Sequence, residues 1–481
     1  MSPWPRIVGA LLGALLIGGA AAPGPSTPER FRFRDLGEVT VHAPAGAPTH
    51  MVILMSPGGD ADPQARDLAA ALVERQALVA VASSAQAVQR LARARTRCAY
   101  PSADIETLSN YVQMKHAVPE HLSPVLVGLR DGAVFLYAVV AQAPPQLYGR
   151  LVTVAFTKEL AARRPFCRGG GLTAHLLNGA RLVVSPSRAL EIPWRAVQGS
   201  ADVVVSPDAL RPFVEAAHDA KLVTVPATGH ALEGTSWVAS AVDQALAPSE
   251  QPAAPVPEAV SDLPVIEVPA PAPARHELAL VISGDGGWAD IDRQLAQDLS
   301  SHGLATIGLN ALRYFWHGRD ADGTARDVAR ILRYYGQAWH ADGFVLVGYS
   351  RGADVLPATF NRLPPDLQQR TRLIALLGPS RTVTWEFHLS DWIGGGDGAS
   401  QPTAPELDRI TRARVACFYG VDEEDTACPT ARGANVTRVV MQGGHHFDGD
   451  YAGIARRILA ELDREGSPDG AAGRGAPTQA R

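Results

Sequence analysis

No stretch of this chain is strongly basic. Its 44 Lys and Arg residues are outnumbered by 49 Asp and Glu, for a formal charge of −5. The electrostatic footprint of a nucleic-acid binder is therefore missing. Neither G-x-G-x-x-G nor a Walker lysine is present, which argues against a phosphate-binding glycine loop. The usual metal spacing of histidines and carboxylates is absent too, and no motif asks for a cofactor. Cysteine is scarce: Cys98, Cys167, Cys417 and Cys428. Four cysteines allow three pairings, and the within-half pairs Cys98–Cys167 and Cys417–Cys428 are preferred if the chain is exported.

What is present fits globular domains. The chain has 481 residues, 46% apolar and 19% charged, too long for one ordinary core. It opens "MSPWPRIVGALLGALLIGGAAAPGPSTP". One cation, a short apolar run and the small residues Ala20–Ala22 form the layout of a secretory signal over residues 1–22. The run is short for a membrane span. Pro23 sits awkwardly for cleavage after Ala22, which leaves an earlier cut or a retained anchor open. Residues 247–261, "APSEQPAAPVPEAVS", have linker composition. Residues 466–481, within a Gly/Ala/Arg-rich end, read as a disordered tail.

The two halves, 30–246 and 262–465, superpose as patterns. "HMVILMSPGGD" answers "ELALVISGDGGW", "ALVAVAS" answers "LATIGLN", and "PVLVGLRDGAV" answers "FVLVGYSRGAD". Strands apolar nearly throughout, alternating with helical stretches, imply a parallel sheet covered on both faces. The expected fold class is α/β: two tandem α/β-hydrolase-like domains, each a mostly parallel sheet with helices on both faces.

Gly348-Tyr349-Ser350-Arg351-Gly352 fits G-x-S-x-G between an apolar strand and a helix. Ser350 is the candidate nucleophile. A serine hydroxyl needs a base, and His445 in "MQGGHHF" follows the last expected strand, with His446 as its rival. The doublet with Asp448 and Asp450 is a weaker metal candidate. The acid should follow "RVACFYG", where Asp422, Glu423, Glu424 and Asp425 crowd. Asp425 stands four residues before Pro429, and Asp422 lies 72 residues after Ser350, as Asp202 does after Arg130. Both remain candidates, with Asp425 preferred. Oxyanion donors are expected from the amide of Arg351 and from Asp285, Gly286 and Gly287 in "SGDGGW". Tyr314 and Trp316 in "LRYFWHG", together with Trp288, Glu423 and Glu424, are candidate substrate contacts. Arg351 also puts a cation beside the nucleophile, suited to a phosphate-bearing substrate.

"LALVISGDGGWADID", "LRYFW", "VGYSRGADVLP", "FYGVDEEDTACP" and "GGHHFDGDY" resemble the bacterial virulence VirJ/AcvB family. "CAYPSADIETLS" and the two-half layout resemble its longer AcvB-type members. The resemblance implies a periplasmic serine hydrolase, some members of which remove lysine or alanine from aminoacyl-phosphatidylglycerol. It implies an aminoacylated phospholipid substrate, a site of action near the inner-membrane surface, and a link to type IV secretion proteins. A general carboxylesterase or lipase, and a non-enzymatic secretion scaffold, are the alternative readings. The first half departs from the family pattern. Arg130 stands where a serine is expected, and a guanidinium stays protonated and cannot attack an ester. That half is expected to be a catalytically dead copy, with Asp131 off register as a substitute nucleophile.

Overall fold

A computed structural model describes residues 27–464, apart from 94–97, 144–146, 168–170, 249–256, 272–273, 289 and 387–399. The signal segment, most of the linker and the C-terminal tail read from the sequence lie outside the described residues. Among those described, no helix is long and apolar enough to cross a membrane.

The first domain is built on strands β1 (Glu29–Phe33), β2 (Gly37–His42), β3 (His50–Ser56), β4 (Ala77–Ser83), β5 (Val125–Leu129), β6 (Arg150–Val154), β7 (Trp194–Gly199) and β8 (Ala220–Val225). They lie in the order β1-β2-β4-β3-β5-β6-β7-β8. The second domain has β9 (Val265–Val268), β10 (Glu277–Ile282), β11 (Ala305–Leu309), β12 (Gly343–Tyr349), β13 (Thr371–Leu377), β14 (Arg414–Gly420) and β15 (Val436–Met441). Their order is β9-β11-β10-β12-β13-β14-β15. Without β1, the two orders are the same. In both, the strand corresponding to β2 pairs antiparallel and the rest run parallel.

The pattern follows from burial on both faces. Along β3, Met51, Ile53 and Met55 enter one apolar cluster and Val52 and Leu54 the opposite one. Along β10, Leu278, Leu280 and Ile282 face one cluster and Ala279 and Val281 the other. A strand wet on neither side needs apolar residues at every position, hence the unbroken runs. Two features have no counterpart in the sequence reading. Strand β1 pairs antiparallel at the edge with alternating exposure. A small antiparallel sheet (Glu159–Leu160, Ala174–Leu177, Arg181–Val184) follows β6.

Both within-half disulfides are formed, Cys98–Cys167 and Cys417–Cys428. The first lies just before the helix Pro101–Lys115. Ala99 bridges Phe166, and Gln142 Nε2 donates to the carbonyls of Ala99 (2.9 Å) and Cys167 (2.8 Å). The start of that helix is thus fastened to its own domain. Its other end meets the second domain. Met114 packs into the second domain's core, and Trp316 Nε1 donates to Val118 O at 2.9 Å. The His121 ring stands edge-on to Trp316 at 5.1 Å. Arg293 pairs with Glu191 at 3.1 Å.

Candidate active site

Strand β12 runs straight into the helix Arg351–Asn361, and Ser350 is the hinge residue at φ 51°, ψ −117°. That is a strained conformation for a residue with a Cβ, and it lifts the side chain clear of the sheet. The flanking glycines are required sterically. A Cβ on Gly348 would lie 2.4 Å from Gly352 C, and one on Gly352 would lie 2.0 Å from Ile282 O. Arg130 has the same backbone, φ 51° and ψ −117°, between β5 and its helix. The turn is therefore inherited whole in both domains.

Ser350 Oγ lies 2.9 Å from His445 Nε2, and His445 Nδ1 lies 2.5 Å from Glu423 Oε1. The histidine follows β15 and the carboxylate follows β14. Glu423 is 5% exposed at its side chain, and its other oxygen accepts from Gly420 N at 3.1 Å. A carboxylate fixed at both oxygens sets the imidazole's orientation and stabilises its protonated form. The arrangement is a nucleophile, a base and an acid in hydrogen-bonded series.

The acid differs from the sequence expectation. Asp425 and Asp422 are both exposed and neither reaches His445. Asp425 accepts instead from the Arg381 amide at 3.3 Å. The reason is a tight turn, closed by Glu423 N on Gly420 O at 3.1 Å, which leaves Asp422 outside and folds Glu423 back under the strand end. The first domain makes the same turn from Gly199 to Asp202, closed at 3.2 Å. There Asp202 Oδ2 lies 2.9 Å from His230 Nδ1. Asp202 thus corresponds to Glu423, 73 residues after Ser350, rather than to Asp422. The first domain retains a histidine–carboxylate pair. Its turn residue, Arg130, bonds Asp62 and Gln64, each at 2.6 Å.

His446 is turned away from the serine. Its Nδ1 lies 3.0 Å from the Tyr349 hydroxyl, and burial, then the neighbouring His445, lowers its pKa. Asp450 caps the final helix, accepting from Gly453 N at 3.0 Å. Among the described residues, no group of His, Cys, Asp or Glu is arranged to hold a metal.

Of the loop after β10, Gly284 abuts Ser350: a Cβ there would lie 3.3 Å from Ser350 Cβ. Gly287, expected as a donor, instead closes the turn by donating to Gly284 O at 3.1 Å. Asp285 and Gly286 keep amides without a backbone acceptor among the described residues. Arg351 is the first residue of its helix, where amides point toward the helix N-terminus and Ser350. Its guanidinium is not offered to a phosphate. It is buried, bonded to Asp285 Oδ1 at 2.9 Å and to Thr384 O at 2.8 Å.

The expected aromatic pocket is structural. The Tyr314 hydroxyl donates to Asp327 at 2.7 Å, and the ring is buried. Trp316 docks the first domain. Trp288 covers Gly308, where a Cβ would lie 2.4 Å from the ring. Glu424 is an exposed loop residue whose carbonyl accepts from Arg381 at 2.9 Å. The sequence reading passed over Asp354, one helical turn beyond Ser350. It accepts from Ser380 N at 2.6 Å, and burial pushes its carboxyl well above the usual range.

Residues 276–466 match the family described as bacterial virulence protein (VirJ). That span, nearly the whole second domain, is similar to the VirJ family and is called the VirJ-type domain below. Ser350, His445 and Glu423 all lie within the matched span. Similar solved structures include the esterase domain of a Rhodothermus marinus protein, 13% identical over 45% of this chain and 94% of its own, TM-score 0.31. Est1E from Butyrivibrio proteoclasticus is 13% identical over 45% of this chain and 96% of its own, TM-score 0.31. XC6422 from Xanthomonas campestris, described as an α/β serine hydrolase without lid, is 17% identical over 46% and 89%, TM-score 0.28. No functionally curated protein matches the sequence.

Proposed function

We propose that the VirJ-type domain is a serine hydrolase that cleaves carboxylic esters, and that its substrate is the aminoacyl ester of an aminoacylated phosphatidylglycerol at a periplasmic membrane surface. The observation that carries the ester chemistry is the series Ser350 Oγ, His445, Glu423, at 2.9 and 2.5 Å. Ser350 Oγ attacks the acyl carbonyl while His445 Nε2 takes its proton. Glu423 stabilises the imidazolium. The oxyanion is met by amides at the start of the Arg351–Asn361 helix and in the Gly284–Gly286 turn. His445 then protonates the departing glycerol oxygen. Water, activated by the same imidazole, releases the acid and restores Ser350. The lipid substrate is supported by the resemblance of the motifs to the VirJ/AcvB family.

The test is release of free amino acid from vesicles carrying lysyl- or alanyl-phosphatidylglycerol. Ser350→Ala should lower the rate by about 10⁴-fold or more. Equal release by the variant would remove the nucleophile assignment. Fluorophosphonate labelling of Ser350 without amino-acid release would retain a general carboxylesterase and discard the lipid. Failure of both would leave the secretion-scaffold reading.

A further inference from the structure

One acidic side chain at this site comes from the other domain. Glu106 lies midway along the helix Pro101–Lys115. Its carboxylate reaches the glycine loop of the VirJ-type domain: a Cβ on Gly286 would lie 3.0 Å from Glu106 Oε1. Gly286 is two residues from Gly284, which abuts Ser350. Two residues of chain span at most about 7 Å, so the carboxylate lies against the same short loop that flanks Ser350.

Glu106 has no hydrogen-bond or ion-pair partner among the described residues. Arg351, the cation next to Ser350 in sequence, is bonded to Asp285 and Thr384. Burial, then the charge of Asp285, pushes the Glu106 carboxyl up to about 7. Glu106 is partly buried, and a carboxylate drawn out of water without a counter-ion is costly and is ordinarily paired. Yet nothing about packing requires an acid here, since glutamine would fill the same volume. The helix is fastened at its start by the Cys98–Cys167 bridge and held farther along by the Val118–Trp316 contact. Glu106 is therefore presented on a fixed element, as a recognition group should be.

We propose that the first domain forms one wall of the catalytic site, and that Glu106 receives a primary ammonium group carried on the substrate's acyl moiety. This rests on the ester-hydrolase reading above and adds to it. The ammonium satisfies the unpaired carboxylate and draws the acyl carbon toward Ser350. An acyl group with no cation leaves Glu106 unpaired, and an anionic one is repelled. The dead copy would then owe its retention to specificity.

The full chain is assayed with two activated esters of equal size, an alanyl ester and its des-amino propionyl counterpart. Wild type should favour the alanyl ester. Glu106→Gln should lower kcat/KM for it by about 10- to 100-fold, the range for a hydrogen bond to a charged group, and spare the propionyl ester. Glu106→Asp should recover part of the loss. Equal losses on both esters, or no loss on either, would overturn the proposal. Protection of Ser350 from a fluorophosphonate by alaninamide but not by propionamide reads the same preference without turnover. If Ser350 is labelled but the two amides protect alike, the inference fails and the hydrolase stands. If Ser350 is not labelled, both fail.

Discussion

A single methylene separates the two domains' acids. Asp202 and Glu423 sit at the same position of the same turn, yet one is aspartate and the other glutamate. The longer side chain lets Glu423 accept from Gly420 N and still reach His445. Glu423→Gln should lower kcat by about 10³- to 10⁴-fold, since the amide favours the wrong imidazole tautomer. Asp425→Asn and Asp422→Asn should stay near wild type. Turnover of a chromogenic ester ranks the three, and a collapse in Asp425→Asn with Glu423→Gln active would reverse the assignment. The sequence misled here for a definite reason. Equal spacing of 72 residues pointed to Asp422, but the second domain carries one more residue between the serine turn and the strand-end glycine. A one-residue offset is invisible without the turn geometry, and an acidic run offers a carboxylate at every register.

Elements were legible where burial is complete on both sides. The five inner strands shared by the two sheets are largely apolar and buried, and the halves mirror each other as sequence patterns. Strand β1 escaped because it alternates at an edge, and the 159–184 insertion because short wet strands carry little signal. The serine turn was legible because sterics alone demand its two glycines. The disulfides also act at this scale. Cys417 lies in β14 and Cys428 in the short turn after the Glu423 loop, closing a sequence separation of 11. A loop of that length contributes about 3 kcal/mol in the chain-entropy view. The Cys417→Ala/Cys428→Ala pair should therefore melt several degrees lower. It should also lose kcat, because the loop presenting Glu423 loses its tether. A variant with lowered melting and unchanged kcat would show that the turn alone positions the acid.

At the scale of the whole molecule, the meaning of "LRYFWHG" changed most. A cluster of aromatics on a loop at the sheet's C-terminal end looks like a pocket, and only the placement of a distant helix shows that Trp316 is a docking point. Such a contact joins residues 198 positions apart and leaves no trace in local pattern. The interface has a pH-sensitive member. His121 stands between Asn110, whose Oδ1 lies 3.0 Å from its Nε2, and the Trp316 ring. Burial, then the charge of Arg313, lowers its pKa to about 4. Its unfolded value is near 6.5, so the open or unfolded chain binds the proton more readily across that interval. The stability that neutral His121 provides is full above pH 6.5 and is lost as pH falls toward 4. The upper bound is about 3 kcal/mol, reduced by whatever solvent screening the half-buried ring retains. Acidification from pH 7 to pH 4.5 should therefore loosen the first domain from the second before either core melts. Fluorophosphonate labelling of Ser350, assayed after return to pH 7, should persist. His121→Gln should weaken the acid dependence of domain separation, read by scattering or limited proteolysis at the two pH values. An unchanged acid profile in that variant would place the sensitivity at another group.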